Sequence, residues 1–309
     1  MGLTFLGAFV QTPASRPTFC RAISRGFSWG PPPNFRRGSA PALRLGPALL
    51  GLLLSSLALP SPAQSAWALR VGTLLGDAPV FDGASDRRAQ IAPLVDLRYG
   101  GAYMGRSQLG AAGALGISTD PRSPWVFMTE LGVSAARFER RAHHLLGMGD
   151  RPENYWASAG VQRKFGPTSV KLGVAYGLKN DAGARGTLTF GHKIPLAAGL
   201  LEAQAAITGA TAQNMNDDFG VSPEAAERRL RLLTAGDARL DARDLGSYSA
   251  RGGLRDVSFS ATFIRPFNLR TAWITGARAT CLQPAASDSP LVRERTALSV
   301  FTGFTFSCF

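Results

Sequence analysis

Residues 170–178 read VKLGVAYGL. Val170, Leu172, Val174, Tyr176 and Leu178 fall on one face of an extended chain; Lys171, Gly173, Ala175 and Gly177 fall on the other. Successive strand side chains point to opposite faces, so this order gives one large apolar face and one small, partly charged face. A strand facing lipid outside and a filled or wet lumen inside needs that division. The same period of two returns in 201–208 (Leu201, Ala203, Ala205, Ile207 against Glu202, Gln204, Ala206, Thr208) and in 257–263 (Val257, Phe259, Ala261, Phe263 against Ser258, Ser260, Thr262). It returns again in 69–75, where Leu69, Val71 and Leu75 oppose Arg70 and Gly72. A soluble β-sandwich or soluble barrel shares the period. The strand lengths, the small residues of the second face and an export segment described below favour the membrane.

No apolar run of about 18 residues follows residue 66, which leaves no helical span. Lipid offers the backbone no hydrogen bonds, so a membrane chain without such helices closes its strands into a barrel. The connections support this. Short links at 119–124, 166–167, 195–199 and 265–268 tend to alternate with longer ones at 139–153, 213–252 and 282–293, with a plain turn at 179–184. Short periplasmic turns and long outer loops are the habit of outer-membrane barrels. The fold expected is all-β: a transmembrane antiparallel up-and-down β-barrel. Twelve strands result if 100–118 is split near Ser107–Gly110; ten is the alternative if that segment merges with its neighbours. Trp125, Phe127, Tyr155, Trp156 and Phe165 cluster near strand ends, where rings suit the lipid–water interface.

Charge divides the chain in two. The sequence has 34 Lys+Arg against 21 Asp+Glu, yet no acid precedes Asp77, and the first 66 residues carry six Arg. Leu45–Pro60 (LGPALLGLLLSSLALP) follows Arg36, Arg37 and Arg44 and precedes small residues at 63–68. Basic, apolar, then small is the order of a secretory signal. Ser65, Ala66 and Ala68 are the candidate cleavage positions, so 1–66 reads as a leader with an over-extended start and 67–309 as the barrel. No nucleic-acid motif accompanies the basic charge. Outer-membrane lipid and the phosphates of lipopolysaccharide are the anions expected as partners.

The long loop holds one helix candidate, 222–236. Ser222 caps it, Pro223 suits its first turn, Gly236 ends it, and Ala226, Leu230 and Leu233 form its apolar side. Elsewhere the chemistry is sparse. His143-His144 are read as loop surface, His192 lacks an assignable Ser or Asp, and Asp86 and Asp217-Asp218 are read as solvated loop acids rather than a calcium site. Gly110–Gly116 is no phosphate loop, since no Lys-Ser/Thr follows. Cys281 and Cys308 are expected as two isolated thiols. We therefore expect no catalytic residues, no cofactor and no metal.

Several stretches, taken in order, resemble the MipA/OmpV family of outer-membrane proteins. They are Asp218-Phe219-Gly220-Val221-Ser222-Pro223-Glu224-Ala225-Ala226, Ser287-Asp288-Ser289-Pro290-Leu291-Val292, Gly253-Leu254-Arg255-Asp256-Val257 and Leu146-Gly147-Met148-Gly149-Asp150. The first loop, Val80–Asp86, departs from the family's usual YEGS, and 227–231 is unusually Arg-rich. The last strand has Val300, Phe304 and Phe306 out of phase with the terminal Phe309, which a bulge would repair. The resemblance implies a non-enzymatic outer-membrane scaffold joining a lytic transglycosylase to a penicillin-binding protein in peptidoglycan remodelling. A passive small-solute pore and a surface receptor are the alternatives. Asp218, Phe219, Gly220, Val221, Ser222 and Pro223, with Asp288, Ser289 and Pro290, are the candidate partner- or loop-binding residues.

Overall fold

The computed structural model describes residues 67–308, apart from 180–181, 237–239 and 241–244; the leader assigned to 1–66 and Phe309 lie outside the described residues. Twelve strands form a closed barrel in which each pairs antiparallel with its sequence neighbours, and β1 closes on β12. They are β1 (Trp67–Pro79), β2 (Arg87–Tyr99), β3 (Ala102–Gly105), β4 (Gly113–Ser118), β5 (Trp125–Val133) and β6 (Tyr155–Phe165), then β7 (Thr168–Gly177), β8 (Ala184–Leu196), β9 (Gly199–Ala210), β10 (Gly253–Pro266), β11 (Thr271–Leu282) and β12 (Thr296–Ser307). The count of twelve rests on the division of 100–118 into β3 and β4. No helix among the described residues is long and apolar enough to cross a membrane.

The period of two sets the two faces. On β7, Leu172, Val174 and Tyr176 are exposed and outward, while Gly173, Ala175 and Gly177 are buried inside. Register carries that outward face round the wall: Leu172 lies opposite Leu188, Leu188 opposite Ile207, and Ile207 opposite Val257. Around the closure, Val71 meets Phe306 and Thr73 meets Phe304. The β12 pairings run without a shift, so Leu298, Val300, Phe304 and Phe306 face lipid together and Phe301 turns inward. No bulge that would bring them into phase with the terminal residue occurs in the described part of β12. Lipid contact, not phase with the terminal residue, sets this face.

Rings at the strand ends divide as well. Trp125, Phe127, Tyr155 and Phe165 are exposed, as an interfacial girdle requires, but Trp156 points inward and is 4% exposed. Tyr155 and Trp156 are adjacent on one strand, so only one of them can reach the interface.

The wall is low on one side. β2 meets β3 at three residue pairs and β3 meets β4 at four, and residues 87–96 of β2 pair only with β1 among the described residues. The chain between β3 and β4, residues 106–112, lies against the inner wall instead of extending it. A Cβ on Gly160 would come within 2.6 Å of Leu109, one on Gly173 within 2.9 Å of Leu109, and one on Gly132 within 2.5 Å of Ala111. The inner-face glycines thus leave the space that this strap fills. Glu130 anchors it, accepting from Tyr103 Oη (2.7 Å), Ser107 Oγ and the backbone N–H of Gln108 (2.6 Å). Lys171 and Arg185 donate to the carbonyls of Gln108 and Gly110.

Cys308 is a free thiol, whereas Cys281 is disulfide-bonded. The expectation of two isolated thiols therefore holds for Cys308 alone.

Candidate functional site

The long loops pack together over the outer mouth. Thr211 caps α1 (Ala212–Phe219), accepting from Asn214 N, and Ser222 caps α2 (Pro223–Thr234), accepting from Ala225 N. Proline at the first position of α2 fits a turn whose N–H has no helical partner. Gly236 follows at φ +87°, a left-handed value that ends the helix as expected. Two buried apolar clusters hold the loops. Ala142, Leu145, Val221, Ala225 and Leu291 form one; Met215, Phe219, Ala250, Leu282 and Ala286 form the other.

The buried side of α2 is not the one expected. Ala225 and Arg229 face inward, and Leu230 is 48% exposed. Arg229 is completely buried and donates to the His144 carbonyl at 3.0 Å. Gly147, at φ +83°, lets the chain pass so close that a Cβ there would meet Arg229 Cγ at 2.6 Å. A long aliphatic stem with a polar tip fits a site lined by backbone carbonyls better than leucine does. His144 is likewise buried. Its ring packs 5.1 Å from Phe81, with Nδ1 3.7 Å from Asp86, so it is not a surface residue; His143 is exposed. The helix is accordingly part of a packed cap rather than a solvated lid.

Beneath this cap lies a charged network. Arg255, at the start of β10, donates to Asp82 and Asp256 at 2.7 Å each and to Asp218 at 3.3 Å. Arg151 donates to Asp218 at 2.6 Å and to Asp217 at 3.0 Å. Arg137 donates to the Asp218 carbonyl at 2.7 Å, and Arg151 also reaches the Asp217 carbonyl at 3.0 Å. No basic residue lies in the last turn of α1, so two arginines from another loop satisfy its terminal carbonyls and complement its dipole.

The ionisation of the loop groups follows. Burial works to raise the Asp218 pKa, but Arg255 and Arg151 outweigh it and hold the carboxyl below the ordinary range. Asp217, with Arg151 as its main cation, is pushed up by burial. Burial and the nearby Arg151 bring Arg137 down to about 10.

The network borders a cavity of about 260 Å³. Asp82, Asp217 and Asp218 line it with Arg137, Arg151 and Arg255; Arg141 and Arg185 complete its basic side. Trp156 lines it from β6, with the Arg185 guanidinium 4.5 Å from the ring centroid.

The segments singled out from sequence converge here. Ser289 donates to the Phe219 carbonyl at 2.6 Å, joining the 218–223 stretch to the 288–290 stretch. Asp218 belongs to the network, Phe219 is buried, Val221 bridges to Tyr248 and Ser222 caps α2. Gly220 passes so close to α1 that a Cβ would meet Asn216 O at 2.5 Å, and Pro223 is the first residue of α2. Asp288 is exposed and pairs with Arg295; Pro290 lies beside it in the same loop. Most of these residues thus hold the loops together, and among them Asp218 and Phe219 line the cavity. Sequence reasoning missed the roles of Arg137, Arg151, Asp82 and Arg255, although Asp82 and Arg255 stood in stretches already noticed. His192, on the outward face near a short turn, has Thr168 Oγ1 2.8 Å from its ring nitrogen, and no serine or acid among the described residues hydrogen-bonds or ion-pairs with it. No group of three metal-ligating side chains occurs among the described residues.

No curated protein matches the sequence. Among solved structures, the chain is similar to a porin refined at 1.8 Å (9% identity, TM-score 0.33, covering 78% of this chain and 100% of that one). It is also similar to an anion-selective porin from Comamonas acidovorans (8%, 0.37, 79% and 100%) and to the translocator domain of autotransporter NalP from Neisseria meningitidis (11%, 0.32, 94% and 96%). These likenesses do not extend to function. The sequence of residues 71–308 matches the family described as MltA-interacting protein MipA, which spans the barrel and every loop of its cap, and the chain belongs to that family of outer-membrane barrels.

Proposed function

We propose that this protein is a non-enzymatic scaffold of the outer membrane that holds a lytic transglycosylase, and through it a penicillin-binding protein, at the inner surface of that membrane. The family's name, an interactor of MltA, supports the first partner. The observation that carries the scaffold reading over the pore reading is the 106–112 strap. Glu130 accepts from one hydroxyl of β3, one of the strap and its backbone, and Lys171 and Arg185 fix its carbonyls, so a segment stands within the lumen rather than outside it. A twelve-stranded barrel is wider than the eight-stranded barrels that side chains fill and narrower than the open porins of about 16–18 strands, so one inserted segment takes up a substantial part of its lumen.

The partner's surface would be the periplasmic rim. Its turns are short, but the side chains there are not retiring: Leu269 is fully exposed, and Phe267 stacks on Phe304 at 6.2 Å. Lipopolysaccharide surrounds the opposite, outer end. The test is co-purification. The full-length barrel in detergent, mixed with a purified lytic transglycosylase, forms a complex that Leu269→Asp with Phe267→Ser weakens. No complex with the wild-type barrel, together with ion conductance typical of an open channel, overturns the scaffold reading.

A further inference from the structure

The arginines around the mouth cavity are not equivalent. Arg151 and Arg255 engage all of the nearby carboxylates: Asp217 and Asp218 for one, Asp82, Asp218 and Asp256 for the other. Arg137, Arg141 and Arg185 also line the cavity, and none has a carboxylate partner among the described residues. Arg137 and Arg185 spend one donor each on a backbone carbonyl, and Arg141 lies 4.4 Å over the Phe138 ring. The wall thus carries five guanidinium groups against three aspartates.

Donors are in surplus too. The Nε atoms of Arg137 and Arg255 and the indole N–H of Trp156 have no acceptor, although Trp156 is 4% exposed. Burying donors without acceptors costs free energy, so a wall built this way is short of acceptor oxygens. The guanidinium fork matches a carboxylate or phosphate in its plane, and a partly dry cavity strengthens the pairing.

We infer that the cavity under the outer loops is a binding site for a small oxyanion-bearing solute, a carboxylate or a phosphate, gripped by Arg137, Arg141 and Arg185. A volume of about 260 Å³ suits a compact solute, not a polymer. Arg151 and Arg255 already pair with Asp82, Asp217 and Asp218, and five arginines against three aspartates leave the wall two positive charges in excess, so a divalent, compact anion is preferred over a large monoanion. The inference stands apart from the scaffold reading, because the cavity lies at the end away from the periplasmic turns.

The experiment is calorimetric titration of the full-length barrel in detergent at fixed ionic strength. The probes are inorganic phosphate, succinate and the neutral succinamide. Saturable binding of phosphate or succinate, but not of succinamide, is expected. Arg185→Gln and Arg141→Gln each weaken it about tenfold, the loss of one charge-assisted contact. Arg163→Gln, a cation lying over Trp125 and Phe165 at a different place on the wall, leaves it unchanged. Retained heat-modifiable gel mobility shows that each variant is folded. No saturable binding up to about 10 mM, an affinity weaker than about 3 kcal/mol, overturns the site. Equal binding by wild type and by a folded Arg141→Gln/Arg185→Gln double variant does the same.

Discussion

Ser289 Oγ donates a 2.6 Å hydrogen bond to the carbonyl of Phe219, closing a separation of 70 residues. The same oxygen accepts from Leu291 N at 3.2 Å, so one buried hydroxyl ties the last outer loop to the end of α1.

Ser289→Ala leaves a buried carbonyl and a buried N–H short of a partner. A destabilisation of about 2 kcal/mol is expected. It should show as earlier loss of the compact gel band on heating and faster protease cleavage of the outer loops. An unchanged melting profile would show that water replaces the hydroxyl.

Asp218 is shared by Arg151 and Arg255. Because its folded pKa is depressed, its contribution to stability is fully present above the ordinary carboxylate range. It is lost as pH falls through the still lower folded value. Asp217 runs the other way: its raised pKa makes its ionised form a cost at neutral pH that is relieved on acidification. Asp218→Asn should therefore destabilise the cap by about 3 kcal/mol at pH 7 and flatten the acid side of the profile. Equal slopes for wild type and variant below pH 4 would contradict the assignment.

Glu130 is the anchor of the strap. Glu130→Ala removes every acceptor that its carboxylate offers to Tyr103, Ser107 and Gln108. The barrel should still form, because its wall pairings do not use this side chain, but single-channel conductance in planar bilayers should rise above wild type. Conductance unchanged in a folded variant would mean that the strap does not depend on Glu130.

Deleting 222–236 removes the α2 helix without touching any strand. Outer-membrane assembly and heat-modifiability should survive, while the apolar cluster round Leu145 and Leu291 loses Ala225 and the loops become protease-sensitive. Failure to insert would show that the helix helps to build the barrel.

The barrel was legible because its signals are local. A period of two and the lengths of connections can be read from neighbouring residues, and the split near Ser107–Gly110 fell between β3 and β4. The mouth network was not, because its partners are distant in sequence: Arg255 reaches Asp82 across 173 residues. The face of α2 was misread for a related reason. Helical periodicity locates an apolar stripe, but the pocket meeting α2 is built from the chain near Gly147 and the His144 carbonyl, and it takes Arg229. Trp156 and His144 show the same limit. Residue type suggested the interface and the surface, and only the register of β6 and the fold of the 134–154 loop placed them inside.

The low side of the wall has a mechanical meaning. Round most of the circumference, parting two strands breaks a ladder of eight or more residue pairs; between β2 and β3 it breaks three. Pro93 sits in the stretch of β2 that has a neighbour on one side only, where a missing N–H does least harm to a sheet. A closed cylinder has no preferred place to tear, but this one has a seam, and the strap that continues from β3 braces β5 to β8 rather than the seam itself. Any strain on the barrel, from a crowded bilayer or a pull on its rim, will part it first along β2 and β3.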